Sequence, residues 1–252
     1  MKRTLTLGIG ILTLAALPAL AADLPPRYPT KAPVMVTSVY NWTGCYIGVE
    51  GGGAWGRARD TSLDPRFPGE ITGPFSLSGV LVGGTVGCNY QVDRIVFGIE
   101  GDLSWTNKRG STFAIPPFLT SSFGEVRESW IGTVRGRLGY AFADRWLLYV
   151  TGGLAATTAK LTITDALFGI NASESQSKAG WTIGGGVEAA LDRNWTAKVE
   201  YLYVDYGRIG YFNPSVAIGP YVLLNQSVRL TDHLFRVGVN YRFGYDTVVA
   251  RY

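Results

Sequence analysis

A regular alternation of short and long connections constrains the fold of this chain more than any other feature. Three very short connections recur at intervals of about 50 residues: Val92–Asp93, Ala143–Asp144 and Asp192–Asn194. Four long segments that contain Gly, Ser or Pro alternate with them: Arg57–Phe75, Asn107–Phe123, Thr162–Ser177 and Gly207–Arg229. This order puts all short turns at one end of a set of strands and all long loops at the other, as in transmembrane barrels.

Between these connections, apolar and polar residues alternate over about ten positions, the period of a strand with two unlike faces. In the last such segment, Phe235, Val237 and Val239 share one face. Arg236 and Asn240 share the other. The sequence therefore predicts an all-β protein, an eight-stranded antiparallel up-and-down transmembrane β-barrel. The predicted strands are Trp42–Gly56, Ser76–Gln91, Arg94–Thr106, Glu125–Phe142, Trp146–Lys160, Lys178–Leu191, Trp195–Tyr206 and Leu230–Phe243.

Aromatic residues, 13% of the chain, favour a membrane barrel over a soluble, lipocalin-like one. One group lies near the short-turn end: Trp42, Tyr90, Tyr140, Phe142, Trp146, Trp195, Tyr241 and Phe243. A second lies near the long-loop end: Trp55, Trp105, Trp130 and Tyr203. Membrane barrels carry an aromatic girdle at each interface, whereas lipocalins have polar outer surfaces. We therefore expect the apolar face to contact lipid and both chain ends to lie in the periplasm.

The N-terminus predicts export. Lys2 and Arg3 precede an apolar run, Leu5–Leu20, which ends in the small-x-small pattern that a signal peptidase reads. The predicted organisation is a signal peptide (1–21), a Pro-rich periplasmic lead-in (22–40) and an outer-membrane β-barrel (41–252). The lead-in could equally be a disordered terminus. The mature chain is only weakly basic, which argues against a nucleic-acid partner.

Lipid on the apolar side places charged residues inside the barrel. Five are acidic: Glu50, Glu100, Asp102, Glu188 and Glu200. Five are basic: Arg135, Arg137, Lys198, Arg236 and Arg242. The interior of an eight-stranded barrel is about wide enough to be filled by its own side chains. The strand count therefore favours a structural or surface-interaction protein with long external loops, and a small porin passing small solutes is the alternative.

The two cysteines suggest a disulfide. Cys45 in the first strand and Cys88 in the second are both at positions whose side chains are predicted to face lipid. Folding the hairpin about the middle of its loop brings the two residues nearly opposite each other. A bridge is then possible in the oxidising periplasm. Two free thiols packed against lipid remain the alternative, because a register slip of two residues would forbid the bond.

No catalytic, metal or cofactor site is predicted. His233 is the only histidine, and its neighbour Asp232 should point to the opposite face of the strand. One histidine and two distant cysteines do not form a metal-ligand set. The glycine clusters Gly51–Gly53 and Gly184–Gly186 do not lie between a strand and a helix, so they are more consistent with relief of crowding in a narrow barrel than with phosphate binding.

Three stretches resemble the outer-membrane β-barrel family (porin-like, OmpA-like transmembrane domain) that includes the outer-membrane immunogenic proteins of alphaproteobacteria. They are Ala-Ala-Asp-Leu-Pro after the signal, Tyr-Asn-Trp-Thr-Gly-Cys-Tyr-Ile-Gly from Tyr40 to Gly48, and Arg-Val-Gly-Val-Asn-Tyr-Arg-Phe from Arg236 to Phe243. The resemblance implies a surface antigen in the cell envelope, inserted by the barrel assembly machinery. In this family the last strand usually ends the chain on an aromatic residue, so either Phe243 or Tyr252 would be the insertion signal. Outer-membrane lipid and lipopolysaccharide are the expected partners, and the loop sequences indicate no other partner.

Overall fold

The computed structural model describes residues 40–116, 120–212, 215–218, 221–223 and 225–243. They form a closed barrel of eight antiparallel strands, which confirms the predicted fold class. The strands are β1 (Gly44–Ser62), β2 (Phe75–Val92), β3 (Ile95–Thr106), β4 (Ser122–Ala143), β5 (Trp146–Asp165), β6 (Ile170–Ala190), β7 (Trp195–Tyr211) and β8 (Gln226–Phe243). Shorter strands lie at Gly69–Glu70, Arg109–Phe113, Val216–Ile218 and Tyr221–Leu223. The described residues contain no helix long and apolar enough to cross a membrane.

The predicted signal peptide (1–21), residues 22–39 of the predicted lead-in and Tyr252 lie outside the described residues. The barrel itself begins at Gly44 and ends at Phe243.

The barrel closes through the pairing of its first and last strands. Each strand pairs with the next, and β8 pairs with β1 from Cys45 opposite Phe243 to Ser62 opposite Gln226. Closure leaves the ring without a free strand edge. This matters in lipid, where unpaired backbone N–H and C=O groups have no water to bond and cost several kcal/mol each.

The three short connections all lie at one end of the barrel, as the sequence indicated. Asp93 has φ of 53° in the β2–β3 turn, a left-handed conformation that Asp tolerates better than most residues. In the β6–β7 turn, the Asp192 carboxylate accepts hydrogen bonds from the backbone N–H groups of Trp195 and Asn194, both at 2.8 Å. These bonds lower the pKa of Asp192 below its ordinary value.

The strands run farther at the opposite, outer end than the sequence predicted. The predicted long loop Thr162–Ser177 is wrong: β5 continues to Asp165, β6 begins at Ile170, and only a four-residue turn separates them. Gly169 provides the positive φ, 65°, that this turn needs. Beyond the membrane both faces of a strand meet polar surroundings, so the alternation of apolar and polar residues disappears although the backbone ladder continues.

Outward-facing side chains are apolar through the middle of the barrel, where Val49, Ile99, Val134 and Leu154 are all well exposed. Most residues of both predicted girdles are also on the outside, among them Trp55, Trp105, Trp146 and Trp195. Trp42 is an exception that corrects the prediction. It is 2% exposed and lies inside the periplasmic mouth, because Tyr40–Thr43 precedes β1 and folds across that opening.

Candidate functional site: the barrel interior

Ten charged residues were predicted to point into the barrel, and all ten are buried. They come from β1, β3, β4, β6, β7 and β8, because alternate residues of each strand face inward. The strand register places three pairs of opposite charge directly beside each other: Glu100 with Arg135, Glu188 with Lys198, and Glu200 with Arg236. Neighbouring strands therefore bring the first partners together.

Arg135 and Arg236 extend the pairing across the lumen. Arg135 contacts Glu100 at 2.5 Å and Asp102 at 2.9 Å on β3, and Glu200 at 2.8 Å on β7. Arg236 contacts Glu50 at 2.5 Å on β1 and Asp102 at 2.7 Å on β3, as well as Glu200. The two guanidinium groups thus join four carboxylates from three non-adjacent strands of the ring, β1, β3 and β7.

Two further cations complete this network. Lys198 lies 3.3 Å from Glu50 and 3.2 Å from Glu100. Arg137 pairs with Glu188 and stacks on the Tyr149 ring, with its guanidinium carbon 3.7 Å from the ring centre. Each of these nine buried charges therefore has at least one opposite charge within reach, which offsets the large cost of removing ions from water.

Arg242, the tenth predicted residue, is bound differently from the other cations. Its guanidinium donates to backbone carbonyl oxygens of Asn41, of Thr43 at 3.2 Å and of Arg193 at 2.9 Å. It also lies over the Tyr40 ring, 4.4 Å from its centre. Arg242 therefore holds the segment that crosses the periplasmic mouth, and it belongs to the closure of that end.

A second buried ionic cluster was missed in the sequence. The Lys108 ammonium, on the connection after β3, contacts the Glu128 carboxylate at 2.6 Å and also contacts Asp232 on β8. All three side chains are fully buried. Lys108 was assigned to an external loop, and a bulge between Glu128 and Ile131 interrupts the alternation that would have marked Glu128 as inward. Of the three residues, only Asp232 had a position in the alternating pattern of its strand that predicted an inward side chain.

Apolar side chains fill the lumen on both sides of the ionic network. The outer cluster includes Ala54, Leu81, Ile131, Leu202, Tyr206 and Leu234. The periplasmic cluster consists of Trp42, Val96, Ala141, Leu147 and Ala190, with Tyr40 packed against it. These apolar clusters were not predicted from the sequence, because a strict alternation of faces does not show where along the barrel axis the inner face changes from charged to apolar.

Cys45 and Cys88 are directly opposite each other on β1 and β2 and are joined by a disulfide, with a Cα–Cα distance of 3.9 Å. Both residues face outward. The bridge links two strands near the periplasmic end of the barrel.

We expect denatured, unreduced mature protein to react with no thiol-alkylating reagent. After reduction it should take up two alkyl groups per chain, which mass spectrometry would count. A Cys45→Ser variant is the matched control, because it leaves one thiol that should react without reduction. Alkylation of both cysteines in unreduced wild-type protein would contradict the bond.

His233 and Asp232 point to opposite faces of β8. The His233 ring lies on the outside, where its Nδ1 is 2.5 Å from the Tyr201 hydroxyl and its ring stacks with Trp55. Asp232 lies inside the barrel with Lys108. The two side chains therefore do not form an acid–base pair. Among the described residues, no group of three or more His, Cys, Asp or Glu is arranged to hold a metal ion.

Comparisons with known proteins identify relatives of this barrel. Residues 9–243 match the family model of the outer membrane protein beta-barrel domain. The chain is 36% identical over 243 residues to a 31 kDa outer-membrane immunogenic protein of Brucella melitensis, covering 92% of this chain and 97% of the relative. It is 32% identical over 228 residues to a 25 kDa outer-membrane immunogenic protein of the same species, covering 89% and 91%.

Among solved structures, the barrel is similar to the outer membrane protein OprG from Pseudomonas aeruginosa. The TM-score is 0.51 at 16% sequence identity, and the match covers 82% of this chain and 99% of that one. At this identity the similarity concerns the fold alone.

Proposed function

Because the chain belongs to the outer membrane β-barrel protein family, we propose that it is a closed barrel with a structural and surface-interaction role. The outer membrane is its location. The observation that carries the proposal is the ionic network at the middle of the lumen. Arg135 and Arg236 bridge carboxylates on β1, β3 and β7, so a solute would have to break several buried ion pairs to pass.

The apolar clusters at both ends support the same proposal. A charged lumen can hold a continuous row of water molecules, whereas packed apolar side chains leave water without hydrogen-bonding partners. At the periplasmic mouth Trp42 is held by a 2.7 Å hydrogen bond from its backbone N–H to the Gln91 side chain. The Tyr40 backbone N–H donates to the Asp144 carbonyl oxygen at 2.9 Å. These bonds anchor the crossing segment to two of the periplasmic turns.

The surface role would lie in the outer connections. Loops on a rigid scaffold are where binding residues usually lie. The connections after β3 and after β7 are the longest at the outer end, and each carries short strands of its own. The relatives are named immunogenic proteins, and an antigen-like role for these loops is part of the proposal.

Single-channel recording in planar bilayers tests whether the barrel is closed. We expect folded mature protein, identified by its heat-modifiable gel migration, to give no steady openings at either polarity. An open porin inserted under the same conditions is the positive control. Reproducible openings whose size changes in an Arg135→Lys variant would overturn the proposal in favour of a small porin, since this variant alters the lumen lining without removing its charge.

A further inference from the structure

Two rows of cationic side chains lie on the outer surface of the barrel, above the aromatic girdle. In the first row, Arg59 on β1 is directly opposite Arg229 on β8, which is directly opposite Arg208 on β7. All three side chains are exposed. Side chains directly opposite on antiparallel strands are about 5 Å apart at Cβ, and like charges in such positions destabilise a sheet.

The second row repeats this arrangement on another part of the barrel wall. Arg109, on the short strand after β3, is directly opposite Arg127 on β4, which is directly opposite Lys160 on β5. These side chains are also exposed. Two rows of three adjacent cations, each across three paired strands, provide two multidentate sites for an anion.

Acidic neighbours compensate each row only in part. Arg59 pairs with Glu70 at 3.0 Å, and Arg229 pairs with Asp205 at 3.3 Å. In the second row, Arg127 pairs with Glu125 at 2.8 Å. Arg208 and Lys160 add further positive charge to their rows, so each row keeps a net positive charge.

The first row also forms a concave site. A cleft of about 580 Å³ is lined by Arg57, Arg59, Arg208 and Arg229, with Glu70 as its only acidic side chain. Arginine binds phosphate oxygens through two parallel N–H donors, which makes a cleft with four guanidinium groups well suited to a phosphorylated ligand.

The position of the rows relative to the membrane points to the ligand. Trp55, Arg57 and Arg59 follow one another on the outward face of β1. With a rise of about 3.3 Å per residue and a strand tilt of about 40°, Arg57 and Arg59 lie roughly 5 and 10 Å above the girdle at Trp55. Arg57 therefore lies within the layer of lipid headgroups, which adds about 5 to 7 Å on each side of the hydrocarbon core, and Arg59 lies just above this layer.

We infer that the two rows bind the phosphate groups of lipid A, the membrane anchor of lipopolysaccharide, in the outer leaflet. The inference shares with the proposed function only the membrane orientation of the barrel, and it does not depend on whether the lumen conducts. Among the described residues, the periplasmic end has no equivalent feature: the turn residues Arg94, Arg145 and Arg193 each follow an aspartate in the sequence and are on separate turns.

Native mass spectrometry of the folded mature protein in detergent tests this, with purified bisphosphoryl lipid A as the probe. Two triple variants remove one row each, R59Q/R208Q/R229Q and R109Q/R127Q/K160Q. A third, R94Q/R145Q/R193Q, is the matched control. We expect wild-type protein and the control to bind two lipid A molecules per barrel. Each row variant should bind only one lipid A molecule with wild-type affinity. Its affinity for lipid A at the altered row should be at least about tenfold weaker.

Two further arms identify the source of the phosphate. Chemically dephosphorylated lipid A should bind poorly, and inorganic phosphate at the same phosphate concentration should not displace lipid A. Equal binding of dephosphorylated lipid A would overturn the inference by showing that the acyl chains suffice. Displacement by inorganic phosphate would overturn it in favour of a free-anion site.

Thermal unfolding without lipid A checks that the row variants fold. Because they remove like charges from directly opposite positions, they should unfold at the same temperature as wild-type protein or higher. Added bisphosphoryl lipid A should raise the unfolding temperature of wild-type protein more than that of either row variant. Row variants that fold and still bind two molecules with wild-type affinity would refute the inference.

Discussion

Replacing Arg135 with methionine is expected to lower the free energy of unfolding by about 3 to 5 kcal/mol, the cost of leaving buried charges without their partner. Arg135 is fully buried and contacts Glu100, Asp102 and Glu200. Methionine fills much of the same volume but carries no charge, so these carboxylates would lose their shared cation. Urea unfolding of the folded barrel, followed by tryptophan fluorescence and by heat-modifiable gel migration, measures the change.

Two further variants separate the loss of pairing from a general effect of substitution. Arg145→Met changes an exposed residue of the β4–β5 turn, and we expect less than about 0.5 kcal/mol there. In the double variant Arg135→Met/Glu200→Gln, part of the loss should be recovered, because neutralising Glu200 removes one of the negative charges that Arg135 no longer balances. An Arg135→Met barrel within about 1 kcal/mol of wild type would mean that the network is hydrated and contributes little.

Gly52→Ala should be the most damaging of the single-methyl changes in the first glycine cluster, destabilising the barrel by about 3 kcal/mol. Gly52 faces inward on β1, opposite Arg236 on β8. A Cβ at this position would overlap the Phe235 carbonyl oxygen and lie 2.9 Å from the Arg236 Cα. These atoms are backbone of the paired strand, so the two strands would have to separate.

The adjacent glycines provide matched controls for this prediction. A Cβ at Gly51 would lie at an ordinary 3.6 Å from the Leu81 carbonyl oxygen, and one at Gly53 would lie 3.9 Å from the Trp55 ring. Gly51→Ala and Gly53→Ala should therefore change the urea midpoint little. If all three alanine variants unfold alike, crowding at the closure of the barrel is not the reason for glycine at position 52.

The faces of the strands could be predicted from the sequence because lipid imposes a simple rule on a barrel wall. A residue such as Val134 must be apolar where it meets hydrocarbon, while its neighbour Arg135 points the other way. Trp42 shows where the rule ends. Trp42 precedes β1, so the alternation of inward and outward side chains along a strand does not extend to it. Its place in the periplasmic mouth depends on contacts with residues distant in the sequence.

The second ionic cluster illustrates a different limit. Lys108 precedes the short strand Arg109–Phe113, in a region without a strong alternating pattern, and Glu128 lies next to a bulge. Neither residue has a local signal for burial. Their meeting with Asp232 depends on how β3, β4 and β8 surround one lumen, which no short window of sequence contains.

Local patterns in the chain were enough to predict the number and order of the strands, the end at which the three short connections lie and the side to which the ten predicted charges point. Connection lengths and a two-residue period are local properties, so they can be read from the chain alone. The tertiary structure alone decided which charges meet and how the lumen is filled. Glu50 and Arg236 are 186 residues apart. They meet because β8 closes against β1, and the stagger of the closed barrel sets the depth at which each inward side chain lies.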